Sequence, residues 1–249
     1  SHINIQEKNK SYTSGEDGLK IVEEYINQFA TPHSEIPFIG GAIGYCSYEM
    51  KAEGKKNSML PKFSMGIYDW GLIIDHFLQE AYLVTTNADK DTSKNWATYI
   101  ELFSSLKTNI RNDFKVKSVV DDNLSFEAYR KKFDSVMGFL KEGDCYQINL
   151  SKQYKAIVDG DSWQFYKVFR NLNKSRYMAF LDFKDFEILS GSPERFIQVR
   201  DDNVVTRPIK GTKGRDKDPD QDKKNAESLK NSIKDQSENL MIVDLLRND

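Results

Sequence analysis

The chain has 249 residues, of which 36 are Lys or Arg and 38 are Asp or Glu, so its formal net charge is −2. A charge this close to zero creates no basic field, which argues against nucleic acid as a partner. No stretch approaches the roughly 20 apolar residues that a bilayer-spanning helix needs, and the first residues do not resemble a signal peptide. Composition therefore predicts a soluble, cytoplasmic protein with no membrane partner and a substantial core.

The first part of the chain predicts two helices separated by strands. Apolar residues recur at helical spacing from Leu19 to Phe29, and Thr31-Pro32 then ends the helix. Stretches rich in Gly, β-branched and aromatic residues predict antiparallel strands at 39–48, 64–77 and 81–86. One face of the second helix carries Trp96, Tyr99, Phe103, Leu106 and Ile110. A charged segment over 111–123 predicts a linker.

The second part begins with a helix capped by Ser125 and ended by Gly143. Its predicted inward face consists of Phe126, Tyr129, Phe133, Val136 and Leu140. Residues 145–151 alternate between polar and apolar, which predicts a strand with Gln147 and Asn149 on its polar face. Further strands are predicted at 177–183, 186–190, 195–200 and 203–209, with turns at 184–185 and 201–203. The last helix begins near Asp220.

Together these elements predict an α+β fold, in which antiparallel β-sheets pack as a sandwich with flanking helices. We divide the chain into an N-terminal portion over 1–122 and a second portion over 123–249. The chain opens on Ser1 and stops inside a helical pattern, so we expect a further C-terminal part.

Lys210 is the first candidate for chemistry, because it lies between a Pro and a Gly in the block 208–212, Pro-Ile-Lys-Gly-Thr. Proline fixes φ and glycine admits a close backbone approach, so this Lys is held on a stiffened strand end. A Lys in a strand usually keeps its ammonium group in water. Partial desolvation by the surrounding apolar strands would instead leave a free amine, which is a nucleophile at neutral pH.

Three carboxylates form the next candidates. Glu194 is either a solvated strand residue or, if burial keeps it protonated, a general acid. Asp235 and Glu238 are three apart on one predicted helix, so they share a face and offer two oxygen ligands to a hard cation. Their other interpretation is a pair of solvated charges beside Lys234. Apolar residues on both flanks of this helix favour burial, and a buried carboxylate needs a partner.

The order of three blocks resembles the chorismate-utilising enzymes, the family that includes anthranilate synthase component I, aminodeoxychorismate synthase component I, and isochorismate and salicylate synthases. The blocks are Ser-Pro-Glu-Arg-Phe at 192–196, Pro-Ile-Lys-Gly-Thr at 208–212 and Glu-Asn-Leu-Met-Ile-Val-Asp at 238–244. The resemblance extends from 37–41 through 143–151 to 245–249. It implies the fold of anthranilate synthase component I and a C-terminal portion that this chain lacks.

Within this family, Lys in the Pro-Ile-x-Gly-Thr block is typical of aminodeoxychorismate synthase, whereas anthranilate synthases usually carry Ala. The resemblance implies that Lys210 adds at C2 of chorismate as the C4 hydroxyl departs, and that ammonia then attacks C4 and expels the lysine. The product would be 4-amino-4-deoxychorismate, a precursor of para-aminobenzoate in folate biosynthesis. Glu194 would be the general acid, Gly211 and Thr212 would lie against the substrate, and Glu238 with Asp235 would hold Mg²⁺.

The resemblance also implies a partner, since the sequence has no glutaminase Cys-His constellation and ammonia would come from a glutamine amidotransferase subunit. Tyr45, Ser47 and Tyr48 resemble the family's N-terminal regulatory region, where some members hold tryptophan; core packing is the other interpretation. Anthranilate synthase component I remains an alternative function. An alternative of another class is an inactive fragment that binds an effector or docks the amidotransferase. Gln147 and Asn149 are equally well explained as structural amides or as substrate contacts.

Overall fold

The computed structural model describes residues 3–8, 10–29, 34–51, 60–105 and 113–248. Chain contacts divide it into two compact units, Ser1–Asn109 and Ile110–Asp249. Within the described ranges, no helix has the length and apolar character needed to cross a membrane.

The elements of the described residues alternate between short strands and helices in both units. In the first unit they are β1 (Ile3–Glu7), β2 (Lys10–Ser14), α1 (Gly18–Ile26), β3 (Gly41–Cys46), a 3₁₀ turn (Tyr48–Lys51), β4 (Phe63–Tyr68), β5 (Trp70–Asp75), β6 (Glu80–Thr85) and α2 (Lys90–Ser104). In the second unit they are β7 (Lys115–Val116), β8 (Asp121–Asp122), α3 (Phe126–Glu142), β9 (Tyr154–Lys155), β10 (Val158–Asp159), α4 (Ser162–Asn173), β11 (Tyr177–Phe183), β12 (Phe186–Ser192), β13 (Arg195–Arg200), β14 (Asn203–Arg207), α5 (Pro219–Lys230) and α6 (Ile233–Asn248).

The strands pair as antiparallel ribbons. Among the described residues the pairs are β1 with β2, β3 with β4, β5 with β6, β7 with β10, β8 with β9, β11 with β12, and β13 with β14. The predicted α+β class with antiparallel sheets is therefore confirmed. The predicted two-residue turn at 184–185 joins β11 to β12, and Asp201 adopts a φ of 48° in the turn between β13 and β14.

Helix ends follow the local capping chemistry that the sequence predicts. Ser125 Oγ accepts a hydrogen bond from the backbone N–H of Ala128 at 3.2 Å, and Gly143 ends α3 in the left-handed conformation with a φ of 81°. Helices α1, α2, α4 and α5 have aspartates as N-caps, and each accepts a hydrogen bond from the first turn: Asp17, Asp89, Asp161 and Asp218. Two of the expected inward residues of α3, Phe126 and Phe133, are nevertheless exposed.

Aromatic rings form much of the packing in each unit. In the first unit, Trp70 of β5 stacks on Tyr99 of α2 with ring centroids 4.8 Å apart, and Phe103 lies 6.1 Å from the same Trp. This confirms the predicted aromatic face of α2; Leu106 and Ile110, like the Thr31-Pro32 stop, lie outside the described residues. In the second unit, Tyr166 of α4 is buried against Phe180 of β11 at 5.4 Å.

Four parts of the second unit differ from the sequence-based expectations. The segment 111–123 is not wholly a linker, because β7 and β8 pair with β10 and β9. The division at 122/123 stays a prediction, while the compact units formed by chain contacts meet at 109/110. Residues 145–151 form no strand, since no described strand pairs with them and an unpaired extended segment lacks its hydrogen-bond ladder. Helix α4 was not predicted, although Asp161 caps it and aromatic residues recur along it.

The predicted last helix is in fact two helices, α5 and α6. It begins beside Asp220 as expected, but Asn231 ends α5 and Ser232 caps α6. Ser232 Oγ accepts a hydrogen bond from the backbone N–H of Asp235 at 3.3 Å. Asn and Ser bond to nearby backbone groups and therefore favour helix ends over helix interiors.

Candidate active site

The β13–β14 hairpin brings Glu194 and Lys210 to one end of the same ribbon. Glu194 lies immediately before β13 and Lys210 follows β14, and the first residue of β13, Arg195, pairs with the last residue of β14, Arg207. The carboxylate Oε1 of Glu194 accepts a hydrogen bond from the backbone N–H of Ile209 at 3.3 Å. Both residues thus flank the two strands of one hairpin, which brings them together across a separation of sixteen residues in sequence.

A register shift lies between Arg195 and Gln198 in this hairpin. Between the paired positions, β13 moves on by three residues and β14 by two. This one extra residue on β13 is what defines a β-bulge. Thr206 Oγ1 donates to the carbonyl oxygen of Phe196 at 2.7 Å across the irregularity. Bulges redirect side chains near strand ends, and this one lies directly beside the Glu194–Ile209 contact.

The residues just before Glu194 are positioned by contacts with α4. Asn173 Nδ2 at the end of α4 donates to the carbonyl oxygen of Gly191 at 2.8 Å. A Cβ built on Gly191 would lie 2.4 Å from Phe169 Cζ, so only glycine permits this spacing. Ser192 Oγ then accepts from the backbone N–H of Glu194 at 3.3 Å. Gly191 and Asn173 were missed by sequence reasoning; the Gly inside an apolar strand was the available signal.

Lys210 is half-buried in the segment that leaves β14. No hydrogen bond or ion pair joins its amine to another residue of the described ranges. On one side Ile209 donates a hydrogen bond to the Glu194 carboxylate, and on the other side Gly211 lies close to Asp235 of α6. The side chain thus starts from a fixed backbone and its amine is uncommitted, which is the state a nucleophile requires before substrate binds.

Gly211 is the contact point between the lysine segment and α6. Its φ is 77°, and a Cβ built on it would lie 2.7 Å from Asp235 Cγ. Glycine is therefore required at this position for two reasons: the backbone is left-handed, and a carboxylate approaches closely. Gly211 is half-buried, whereas Thr212 beside it is exposed.

Asp235 and Glu238 lie on the half-buried face of α6, together with Ile242 and Leu246. The prediction that they share a helix face is geometrically satisfied by their three-residue spacing. The opposite flank is exposed, with Ile233 at 80% and Leu240 at 62%. The expectation that α6 is buried on both sides therefore does not hold in this structure.

The two carboxylates fit a hard cation in their chemistry. Among the described residues, no Lys, Arg or His is ion-paired with either of them. No cluster of three or more His, Cys, Asp or Glu suited to a metal occurs in those ranges. Mg²⁺ commonly takes one or two protein carboxylates and keeps several waters, so a pair on one helix face is a suitable donor set.

The predicted effector residues have three different environments in the first unit. Tyr45 on β3 donates its hydroxyl to the carbonyl oxygen of Pro61, and burial raises the pKa of this phenol. Ser47 Oγ is a buried hydroxyl without a hydrogen-bond partner in the described ranges. Tyr48 begins the 3₁₀ turn and is 99% exposed. Gln147 and Asn149 are exposed on their irregular segment of the second unit.

Comparison with known proteins finds a matching family and similar chains. The family model described as chorismate binding enzyme matches residues 3–249. Aminodeoxychorismate synthase component 1 of Salmonella typhimurium is 40% identical over 225 residues, covering 88% of this chain and 48% of the relative. Anthranilate synthase component 1 of Bacillus subtilis is 30% identical over 276 residues, covering 98% of this chain and 53% of the relative.

A solved structure is similar as well. The crystal structure of anthranilate synthase component I from Streptococcus pneumoniae matches with a TM-score of 0.79 at 25% identity, covering 98% of this chain and 58% of that one. The predicted likeness to this fold is thereby confirmed. The chain spans about half the length of the curated relatives it matches. Since the family model covers all three sequence blocks and nearly every residue, the chain belongs to the family of chorismate binding enzymes.

Proposed function

We propose that this chain is part of an aminodeoxychorismate synthase component I, which converts chorismate and ammonia to 4-amino-4-deoxychorismate in folate biosynthesis. The observation that carries the proposal is the half-buried, uncommitted Lys210 between the Glu194–Ile209 and Gly211–Asp235 contacts. Similarity to aminodeoxychorismate synthase component 1 of Salmonella typhimurium supports the assignment. Lysine, rather than alanine, in the Pro-Ile-x-Gly-Thr block supports it further.

In the first step the Lys210 amine forms a bond to C2 of chorismate. Both ring double bonds shift, and the bond between C4 and its hydroxyl oxygen breaks. Hydroxide is a poor leaving group, so Glu194 donates a proton and the oxygen leaves as water. By the family resemblance, Thr212 would hydrogen-bond the departing hydroxyl.

In the second step ammonia attacks C4, both ring double bonds shift back, and the bond between C2 and the Lys210 nitrogen breaks. The new ammonium group passes a proton to the Glu194 carboxylate, which restores the acid and a neutral amine at C4, and the lysine is regenerated. The balance is chorismate plus ammonia giving aminodeoxychorismate plus water. The enolpyruvyl group stays on the ring throughout.

Asp235 and Glu238 are the residues that would hold Mg²⁺ in this scheme. The bound cation would supply positive charge for the ring carboxylate of the substrate. Both carboxylates lie on the α6 face that carries the Gly211 contact. Their role is therefore to orient the substrate with respect to Lys210. Ammonia would be delivered by a glutamine amidotransferase subunit, and free ammonia could replace it.

The decisive experiment is to incubate the full-length protein with chorismate, Mg²⁺ and ammonium and to identify the product by mass. We expect Lys210→Ala to abolish aminodeoxychorismate formation, because no amine can then add at C2. Lys217→Ala is the matched control, since Lys217 is exposed and contacts no described partner. Unchanged kinetics in Lys210→Ala would exclude the nucleophile role.

The same assay tests the alternative that the product is anthranilate. Similarity to anthranilate synthase component 1 of Bacillus subtilis keeps this candidate open. Anthranilate formation eliminates pyruvate, whereas amination at C4 retains the enolpyruvyl group. Pyruvate released in proportion to product would therefore overturn the proposed assignment within the family.

A non-catalytic alternative is that the chain only binds an effector or docks the amidotransferase. The observation that favours an effector in the first unit is the buried Ser47 hydroxyl, which has no hydrogen-bond partner among the residues that the structure describes. Calorimetry separates the two. Chorismate binding that requires Mg²⁺ would support catalysis, whereas tryptophan binding without chorismate binding would support regulation.

A further inference from the structure

The segment that follows Lys210 is laid along helix α5. Residues 213–216 have no regular secondary structure and are exposed. Each of them nevertheless makes a polar contact with a side chain of α5. The contacts are Lys213 Nζ to Ser228 Oγ at 2.6 Å, Asn225 Nδ2 to the carbonyl oxygen of Gly214 at 3.0 Å, Arg215 to Asp222, and the backbone N–H of Asp216 to Asp222 Oδ1 at 3.0 Å.

The Arg215–Asp222 contact is bidentate. Arg215 Nε donates to Asp222 Oδ1 at 2.8 Å and Nη2 donates to Oδ2 at 2.8 Å. The guanidinium group, together with the Asp216 backbone N–H, holds the pKa of the Asp222 carboxyl below its ordinary range. Parallel hydrogen bonds of this kind fix relative orientation as well as distance.

The partners on α5 are evenly spaced. Asp222, Asn225 and Ser228 are three residues apart and so form one stripe along the helix. Their partners are consecutive residues in the reverse order, 215, 214 and 213. The segment thus runs antiparallel to α5 and is held in one register. We call these contacts the α5 clamp.

The clamp begins at Lys213, directly after Thr212. The two neighbours of Lys210 in sequence make contacts of their own. Ile209 is tied to Glu194, and Gly211 lies against Asp235 of α6. Helix α6 follows α5 after only Asn231 and Ser232. The backbone of Lys210 is therefore held between the hairpin, α6 and, through the clamp, α5.

We propose that Arg215, Asp222 and Asn225 are positioning residues for Lys210, which set the direction of its amine by registering the following segment on α5. The inference rests on the proposed role of Lys210. It assigns these residues no contact with substrate. Loss of the clamp frees the segment from Thr212 onward, so the amine reaches the reacting carbon less often while substrate affinity is retained.

Amide hydrogen exchange in the full-length protein tests the clamp without any assay of activity. We expect Asp222→Ala to raise exchange in peptides that cover 209–216 by about tenfold or more, because three hydrogen bonds to the segment are lost. Asp220→Ala is the matched control: it removes the same charge from the first turn of α5, where Asp220 contacts no part of the segment. Equal exchange in the two variants would overturn the proposal.

Steady-state kinetics supply the second readout. Asp222→Ala should lower kcat for chorismate amination by about tenfold with little change in KM, as expected for misplacement of a reacting group. Arg215→Ala should have the same effect, and the double variant should be no worse than either single one, because both remove one interaction. A rise in KM at constant kcat, or additive losses, would overturn the proposal. If the wild-type protein aminates no chorismate, the proposed function fails, and hydrogen exchange alone decides the clamp.

Discussion

At the scale of single residues, the candidate site depends on what surrounds Lys210. A hydrogen bond from Ile209 to Glu194 lies on one side and the Gly211–Asp235 approach lies on the other. These contacts join a hairpin end to a helix face, and each is made by backbone on one side and carboxylate on the other. The candidate acid, nucleophile and metal-binding helix are therefore mechanically connected.

Glu194→Gln separates the proton-donating role of this residue from its structural one. The amide oxygen of Gln can still accept from Ile209, but the side chain can no longer deliver a proton to the departing hydroxyl. We expect kcat for chorismate amination to fall by about a hundredfold or more. The midpoint of thermal unfolding should stay unchanged. Glu187→Gln, at an exposed position of β12, is the control, and equal rates in the two variants would exclude Glu194 as the acid.

Gly211→Ala and Gly214→Ala form a matched pair of substitutions. Alanine at 211 would be strained at a φ of 77° and would meet Asp235 Cγ at 2.7 Å, whereas a Cβ at 214 meets nothing within 4 Å. We expect Gly211→Ala to lower the free energy of unfolding by about 1–2 kcal/mol or more. Gly214→Ala should change it by less than about 0.5 kcal/mol. Urea denaturation measures both, and equal stability would show that Gly211 does not have this backbone conformation.

At the scale of elements, helix α4 sets the position of the strand that leads to Glu194. Phe169 packs where a side chain of Gly191 would otherwise lie, and Asn173 holds the Gly191 carbonyl. The same helix buries Tyr166 against Phe180. A helix that the sequence pattern did not reveal is thus a direct support of the candidate acid.

Gly191→Ala should therefore affect both stability and catalysis. A Cβ at 191 overlaps Phe169, so we expect a loss of about 1–3 kcal/mol in the free energy of unfolding, with lower kcat as Glu194 shifts. Gly138→Ala in α3 is a control of opposite sign, because nothing lies within 4 Å of its Cβ and alanine favours a helix by about 0.5–1 kcal/mol. Destabilisation by both, or by neither, would contradict the packing described for α4.

At the scale of the whole molecule, apolar side chains stand exposed on the second unit. Leu172 of α4 is 82% exposed, Phe196 of β13 is 75% exposed, and one flank of α6 is apolar and open. Proteins rarely leave apolar surface of this kind in contact with water, and it is usually covered by another surface. The candidate residues are all on this second unit, so their environment depends on what covers these faces.

We expect the 249-residue chain, prepared by itself, to bind the dye anilinonaphthalene sulfonate strongly. The dye should fluoresce because exposed apolar side chains provide sites for it. Leu172→Lys and Phe196→Lys together should reduce the signal, whereas lysine at already polar Asn203 should not. Fluorescence no higher than that of a compact globular protein of equal mass would show that these side chains are covered in solution.

The sequence was sufficient for features that arise from local chemistry. Ser125 and Gly143 bound α3 as predicted, because capping requires only a side-chain oxygen and a left-handed glycine. The strands from 177 to 207 were predicted within two residues, because turn residues and β-branched alternation act over short distances. The three blocks also identified the family, whose model matches residues 3–249.

Only the tertiary structure decided which of these residues meet. The Gly211–Asp235 approach, the Asn173–Gly191 bond and the α5 clamp each join a residue of a helix to one outside that helix, and no local pattern encodes such distances. The strand expected at 145–151 shows the converse. Its polar and apolar residues alternate as they do in a strand. A strand also needs a partner for its backbone hydrogen bonds, however, and pairing is a property of the whole fold.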